Sequence, residues 1–131
     1  MSKDITKAVP TLRYFWPTLK AWYEKKYPGR TLILTHVDRT PVEQLTLFVQ
    51  GRLPQFPGAI VTTLDGFVHQ SKHNAVPSKA IDVAIMENGT VDWTTTRAQD
   101  LATAVHELGY DGKIVWGGSW SFHDFYHFEV T

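Results

Sequence analysis

The final stretch of the chain, Trp120 to Thr131, reads W-S-F-H-D-F-Y-H-F-E-V-T and concentrates its chemistry-bearing side chains. As a short strand it turns Tyr126, Phe128 and Val130 one way, with His127 and Glu129 facing the other. Asp124 lies three residues before His127 in the approach. A second stretch, Ser71 to Met86, carries His73 in a loop and Asp82 within A-I-D-V-A-I-M. There Ile81, Val83 and Ile85 form an apolar face, and Asp82 points out of the other. Two histidines and one carboxylate make an open coordination set for a catalytic metal, with a position left for water or substrate. Spacing alone equally fits an ordinary loop histidine, an edge-strand aspartate and a surface histidine.

Six histidines offer other combinations. His69/His73 and His123/His127 have the i, i+4 spacing that lets two ligands share a helix face. H-Q-S-K-H resembles the H-E-x-x-H zinc motif, but Gln70 stands where that motif needs its general-base glutamate. It also lies between Gly66 and Pro77 without an amphipathic pattern, which argues against a helix there. His36, His69, His106 and His123, taken singly, read as solvated or structural groups. His36 and His123 are close enough to the proposed site to support it from outside.

The elements that must position these groups are legible in part. Leu12, Phe15, Leu19, Trp22 and Tyr23 recur at helical spacing from Thr11 to Tyr27. Pro17 either kinks that helix or begins its main part, and Pro28-Gly29 stops it. Thr31 to His36 is short, β-branched and apolar, as a buried strand is. Thr40, Pro41 and Glu43 occupy the cap, first and third positions of a capping box, placing Arg39 where a loop meets a helix start. Val42, Leu45, Phe48 and Val49 give that helix an apolar face, and Gly51 ends it. Between Arg52 and Gln70 only A-I-V-T can form a brief strand. The strand around Asp82 ends at the Asn88-Gly89 turn. Thr94 to Thr96 can cap a helix with a buried face of Ala98, Leu101, Ala102, Val105 and Leu108, closed by Gly109. Lys113 to Trp116 is a strand, followed by the Gly117-Gly118 turn. Helices and short strands mix without a βαβ rhythm or repeat, which predicts an α+β fold with a small antiparallel sheet.

With 131 residues the expectation is one domain over 1–131, with no separate second module. A formal net charge of zero gives no reason to expect nucleic acid or an anionic membrane as partner. The absence of cysteine excludes disulfides and thiolate metal sites. No run approaches the ~20 apolar residues of a membrane span, and M-S-K-D-I-T-K has no apolar signal region. The expectation is a monomer made in the cytoplasm without membrane insertion.

Read together, the segments resemble the zinc peptidases of the VanY / D-Ala-D-Ala carboxypeptidase type, especially the L-alanyl-D-glutamate endopeptidases found as phage endolysins and sporulation-associated wall hydrolases. That family is marked by S-x-H, A-x-D and D/E-x-x-H-F-E. Here these are Ser71-Lys72-His73, Ala80-Ile81-Asp82 and Asp124-Phe125-Tyr126-His127-Phe128-Glu129. R-T-P-V-E-Q from Arg39 to Gln44, Q-G-R from Gln50 to Arg52 and W-G-G-x-W from Trp116 to Trp120 are shared as well. Two departures stand out. The family usually has six residues between histidine and aspartate with a glycine before A-x-D, whereas here eight intervene and Ser78-Lys79 precede Ala80. Tyr126 replaces the usual proline before the histidine.

The resemblance implies the Hedgehog/DD-peptidase fold and one Zn2+ per chain on His73, Asp82 and His127. It implies Asp124 as catalytic carboxylate, Arg39 as transition-state stabiliser, and Gln44 and Ser71 as groups on or behind the substrate. The implied substrate is the peptidoglycan stem peptide, cut between L-Ala and D-Glu, by an enzyme that reaches the wall after release from the host cytoplasm. Three other readings share the ligand set: a D-Ala-D-Ala carboxypeptidase, an iron(II) oxygenase, and a non-catalytic zinc module. Asp124 and Arg39 argue against mere binding, because a structural metal site needs neither.

Overall fold

The computed structural model describes residues 2–131. A 3-10 turn at Ile5–Lys7 leads into helix α1, Pro10–Lys26. Pro10 takes the first-turn position that proline tolerates, and the helix continues through Pro17, which faces outward. Leu12, Phe15, Leu19 and Tyr23 line the inward face and are fully buried.

The sheet contains β1 (Arg30–His36), β2 (Ala80–Glu87), β3 (Thr90–Asp92), β4 (Ile114–Trp116) and β5 (His127–Val130). Its main order is β1-β2-β5-β4, with β3 paired to the far end of β2, and every pairing is antiparallel. The predicted α+β architecture is thus observed. Ile81, Val83, Ile85 and Phe128 turn into the core against α1, where Phe15 packs on Phe128 and Tyr110 at centroid distances of 5.3 and 4.9 Å. Alternation then sends Asp82, His127 and Glu129 to the opposite face.

Register completes that row. Asp82 pairs with His127 on β5 and with His36 on β1, and the β1–β2 register slips between Leu34 and His36. The extra residue, Thr35, forms an irregularity that brings His36 beside Asp82. Bulges near functional sites commonly re-aim a side chain in this way.

Helix α2, Pro41–Val49, has the full capping box at Thr40 and Glu43. Its burial differs from the expected apolar face. Val42 is 66% exposed and Leu45 38%, whereas polar Gln44 is 1% exposed. Gln44 satisfies its amide by bonding Arg39, Thr62 and the Leu64 carbonyl, so polar capture of a loop replaces hydrophobic docking. The stretch 59–62 forms no strand and runs as an irregular wall. The expected helix after Thr94 is broken into α3 (Thr95–Ala98), a 3-10 turn at Gln99–Leu101 and α4 (Ala104–Glu107). This break buries Ala104 in place of the exposed Ala102.

Candidate active site

His73 sits in a 3-10 turn, Lys72–Asn74, opened by a side-chain cap. The Ser71 hydroxyl accepts from the His73 backbone N–H, and Asn74 Oδ1 accepts from Ser71 N–H. The turn is tied to the loop before α2, because Arg39 N–H donates to the His73 carbonyl and Asn74 Nδ2 donates to the Arg39 carbonyl. His73 is 2% exposed. Its Nδ1 lies 2.7 Å from the Val37 carbonyl oxygen. A carbonyl can only accept, so Nδ1 carries the proton and Nε2 presents a lone pair.

That Nε2 is buried without a hydrogen-bond partner among the described residues, although Asp82 Oδ1 is 3.3 Å away. Two acceptors at this separation need positive charge between them, from a proton or a metal cation. His127 supplies the third donor, with Nδ1 2.8 Å from Asp82 Oδ1 and 3.7 Å from Asp124 Oδ2. Candidate ligand atoms of His73, Asp82 and His127 all lie within 4.8 Å of one another. The orphaned nitrogen and the neutral-imidazole-plus-carboxylate chemistry both fit zinc.

The electrostatics point the same way. Burial opposes the charge of Asp82, but hydrogen bonds from His127 and His36 outweigh it and hold the carboxyl well below its ordinary range. Burial also opposes charge on His127, yet the hydrogen bonds to Asp82 and Glu129 push its pKa up to about 9. This pocket stabilises a cation.

Asp124 stands at the rim with its side chain 52% exposed. Desolvation by the surrounding protein raises its pKa, against the nearby His127 charge. Gly117 explains its position. Asp124 N–H donates to the Gly117 carbonyl, and a Cβ on Gly117 would stand 2.4 Å from the Asp124 carbonyl oxygen. The Arg39 side chain is only 10% exposed, its NH1 donates to Gln44 Oε1 at 2.7 Å, and its NH2 is 3.7 Å from Asp82 Oδ2. Burial lowers the Arg39 pKa, while Asp82 and Asp124 work to raise it.

These groups line a cleft of about 660 Å³, within the range of ligand-binding pockets. Its lining includes the polar groups His36, Arg39, Lys72, Asp124 and Glu129 and the apolar side chains Leu47, Val61, Leu64 and Trp120. Ser71 reaches the wall. Gln44 lies behind Arg39, outside the lining. His69 is exposed and pairs with Asp65 at 3.5 Å, and His123 stacks on Phe125, so neither joins the triad. Sequence reasoning left two features unassigned, the Trp120 ring 5.4 Å from His127 and the Lys72–Glu129 ion pair at 3.0 Å. The alternation of His127 and Glu129 was the available signal for the second. Nothing in the sequence signalled the first beyond its membership of W-G-G-x-W.

Comparison with known proteins agrees with this geometry. A family model described as D-alanyl-D-alanine carboxypeptidase matches residues 67–130, the stretch that holds His73, Asp82, Asp124 and His127. No curated protein matches the chain. Among solved structures, the Serratia marcescens L-Ala D-Glu endopeptidase ChiX matches with a TM-score of 0.67 and 20% identity. That match covers 98% of this chain and 84% of the other. The fold is shared with that endopeptidase structure, and the stretch matched by the family model, just under half of the chain, carries the site. The resemblance to the VanY / D-Ala-D-Ala carboxypeptidase family read from the sequence is borne out.

Proposed function

We propose that this chain is a zinc peptidase acting on the stem peptide of peptidoglycan, cutting the L-Ala–D-Glu bond. The observation that carries the reading is the buried His73 Nε2, without a hydrogen-bond partner among the described residues, held in one tautomer and aimed at Asp82 beside His127. One zinc would be held by His73, Asp82 and His127, supplying a Lewis acid that brings the pKa of water to ~7 and polarises a carbonyl. Asp124 takes the proton from the attacking water and delivers it to the leaving nitrogen. Its raised pKa and rim position suit a group that must both accept and release a proton. Arg39, held by Gln44 and largely buried, faces the negative charge that develops on the carbonyl oxygen. Ser71 shapes the wall beside His73, and Gln44 sets the angle of Arg39.

On the resemblance alone, the reading extends to a monomeric phage endolysin, made in the host cytoplasm and acting on the wall after release. The family description favours a second reading on the same site, release of terminal D-Ala. Digestion of purified peptidoglycan, with mass spectrometry of the new ends, separates the two. A new D-Glu amino terminus is expected, and released D-Ala would replace the endopeptidase reading with the carboxypeptidase one. No cleavage by zinc-loaded protein would reject both.

A further inference from the structure

The two histidines of the triad turn opposite nitrogens to the centre, and each is selected by an acceptor behind its ring. Behind His73 that acceptor is the Val37 carbonyl. Behind His127 it is Glu129 Oε1, 2.9 Å from Nε2. The other carboxylate oxygen of Glu129 accepts from Lys72 Nζ at 3.0 Å, and Lys72 also donates to the Val130 carbonyl. Lys72 immediately precedes His73, and Glu129 follows His127 by two positions on the same strand face. The ion pair therefore joins the turn that carries one histidine to the strand that carries the other. A backbone path runs alongside, from Val130 N–H to the Lys79 carbonyl and from Lys79 N–H to the Lys72 carbonyl, each at 3.0 Å.

We propose that Lys72 and Glu129 are positioning residues that clamp the two histidine-bearing segments together and fix His127 as an Nδ1 donor to the metal. The inference rests on the reading of His73, Asp82 and His127 as ligands. Both His127 nitrogens face carboxylates, which can only accept; a metal taking the Nδ1 side beside Asp82 displaces the proton there, and Glu129 holds the remaining one on Nε2. Carboxylates behind metal-bound imidazoles commonly set ring orientation and basicity in this way. Lys72 has a separate task. Asp82, Asp124 and Glu129 crowd one small volume, and the ammonium keeps the third carboxylate engaged with His127 and out of the coordination shell. Glu129 is 18% exposed at its side chain, so little water competes for these bonds.

The test measures zinc affinity by competition with a chromophoric chelator and, in the zinc-bound protein, the His127 ring tautomer by long-range 1H–15N NMR. Glu129→Leu is expected to bind zinc ~10–100-fold more weakly and to lose the single Nε2–H signature. Glu129→Gln, which retains an acceptor, recovers the tautomer and part of the affinity. Lys72→Met weakens zinc binding, and Lys72→Arg restores it. If Glu129→Leu fails to fold without metal, the Gln, Met and Arg variants decide the matter. Zinc binding within ~2-fold of wild type in the Glu129 and Lys72→Met variants, with an unchanged tautomer, overturns the clamp. His73→Ala is the control for the underlying reading. Zinc retained there removes the ligand assignment itself, whereas zinc lost only there removes the clamp alone.

Discussion

Asp124 and His73 occupy neighbouring positions in the cleft but answer to different physics, and substitution separates them. Asp124→Asn keeps size and polarity while removing basicity. Turnover should fall by ~10²–10⁴-fold, with bound zinc and melting temperature little changed. His73→Ala removes a proposed ligand whose Nδ1 hydrogen bond also ties the turn to Val37, so metal and activity should be lost together. Turnover, zinc content and thermal unfolding measured on both variants provide the check. Zinc loss in Asp124→Asn would make that residue a ligand and reject the proposed coordination set. At this scale the sequence was informative because ligands must be particular residue types. The tautomer of His73 was not readable, since its partner is a backbone carbonyl that any residue at position 37 would supply.

Elements deliver these side chains through close backbone approaches, and Gly117 is the tightest of them. Its hydrogen has Asp124 as neighbour, and a methyl there would meet the Asp124 carbonyl oxygen at 2.4 Å. Gly117→Ala must push the approach to β5 outward. We expect a loss of ~1–3 kcal/mol in stability, as for other overpacked sites, with a drop in turnover larger than any drop in zinc affinity. Equal losses in the two would show that the whole triad moves with the turn. The strands that hold the site, β1, β2, β4 and β5, and the capping box were legible because alternation and capping are local signals, whereas β3 and the absence of a strand at 59–62 were not. The burial of Gln44 was not, because its reason is the Leu64 carbonyl, twenty positions away and presented by an irregular loop. The break in the expected helix after Thr94 likewise reflects tertiary packing of Leu101 and Ala104 over local propensity.

The whole molecule hangs on α1 against the sheet, and one buried phenol makes its stability depend on alkali. Tyr23 is fully buried, with its hydroxyl 3.2 Å from Asp100 Oδ2, which also holds Arg30 at 2.7 Å. Burial raises the Tyr23 pKa, and the Asp100 charge adds to the rise. The folded state thus keeps a proton that the unfolded chain releases near pH ~10. Its stabilising contribution is complete below that pH and fades as pH climbs toward the higher folded value. Thermal unfolding of wild type should therefore weaken more steeply above pH ~10 than that of Tyr23→Phe, even if the variant is less stable at neutrality. Parallel curves would place the alkaline transition elsewhere.

The stretch between His73 and Asp82 is two residues longer than is usual in the family the sequence resembles, yet none of residues 74–79 lines the cleft. The excess is carried outward. Val76 stands 96% exposed at the tip, while Ser78 anchors the return through its hydroxyl on the Val37 and Ala80 carbonyls and its backbone beside Ala8. This loop is consequently a natural attachment point. A cysteine placed at position 76 would be the chain's sole thiol, and so could carry a fluorophore or surface linker without facing the substrate side of the molecule.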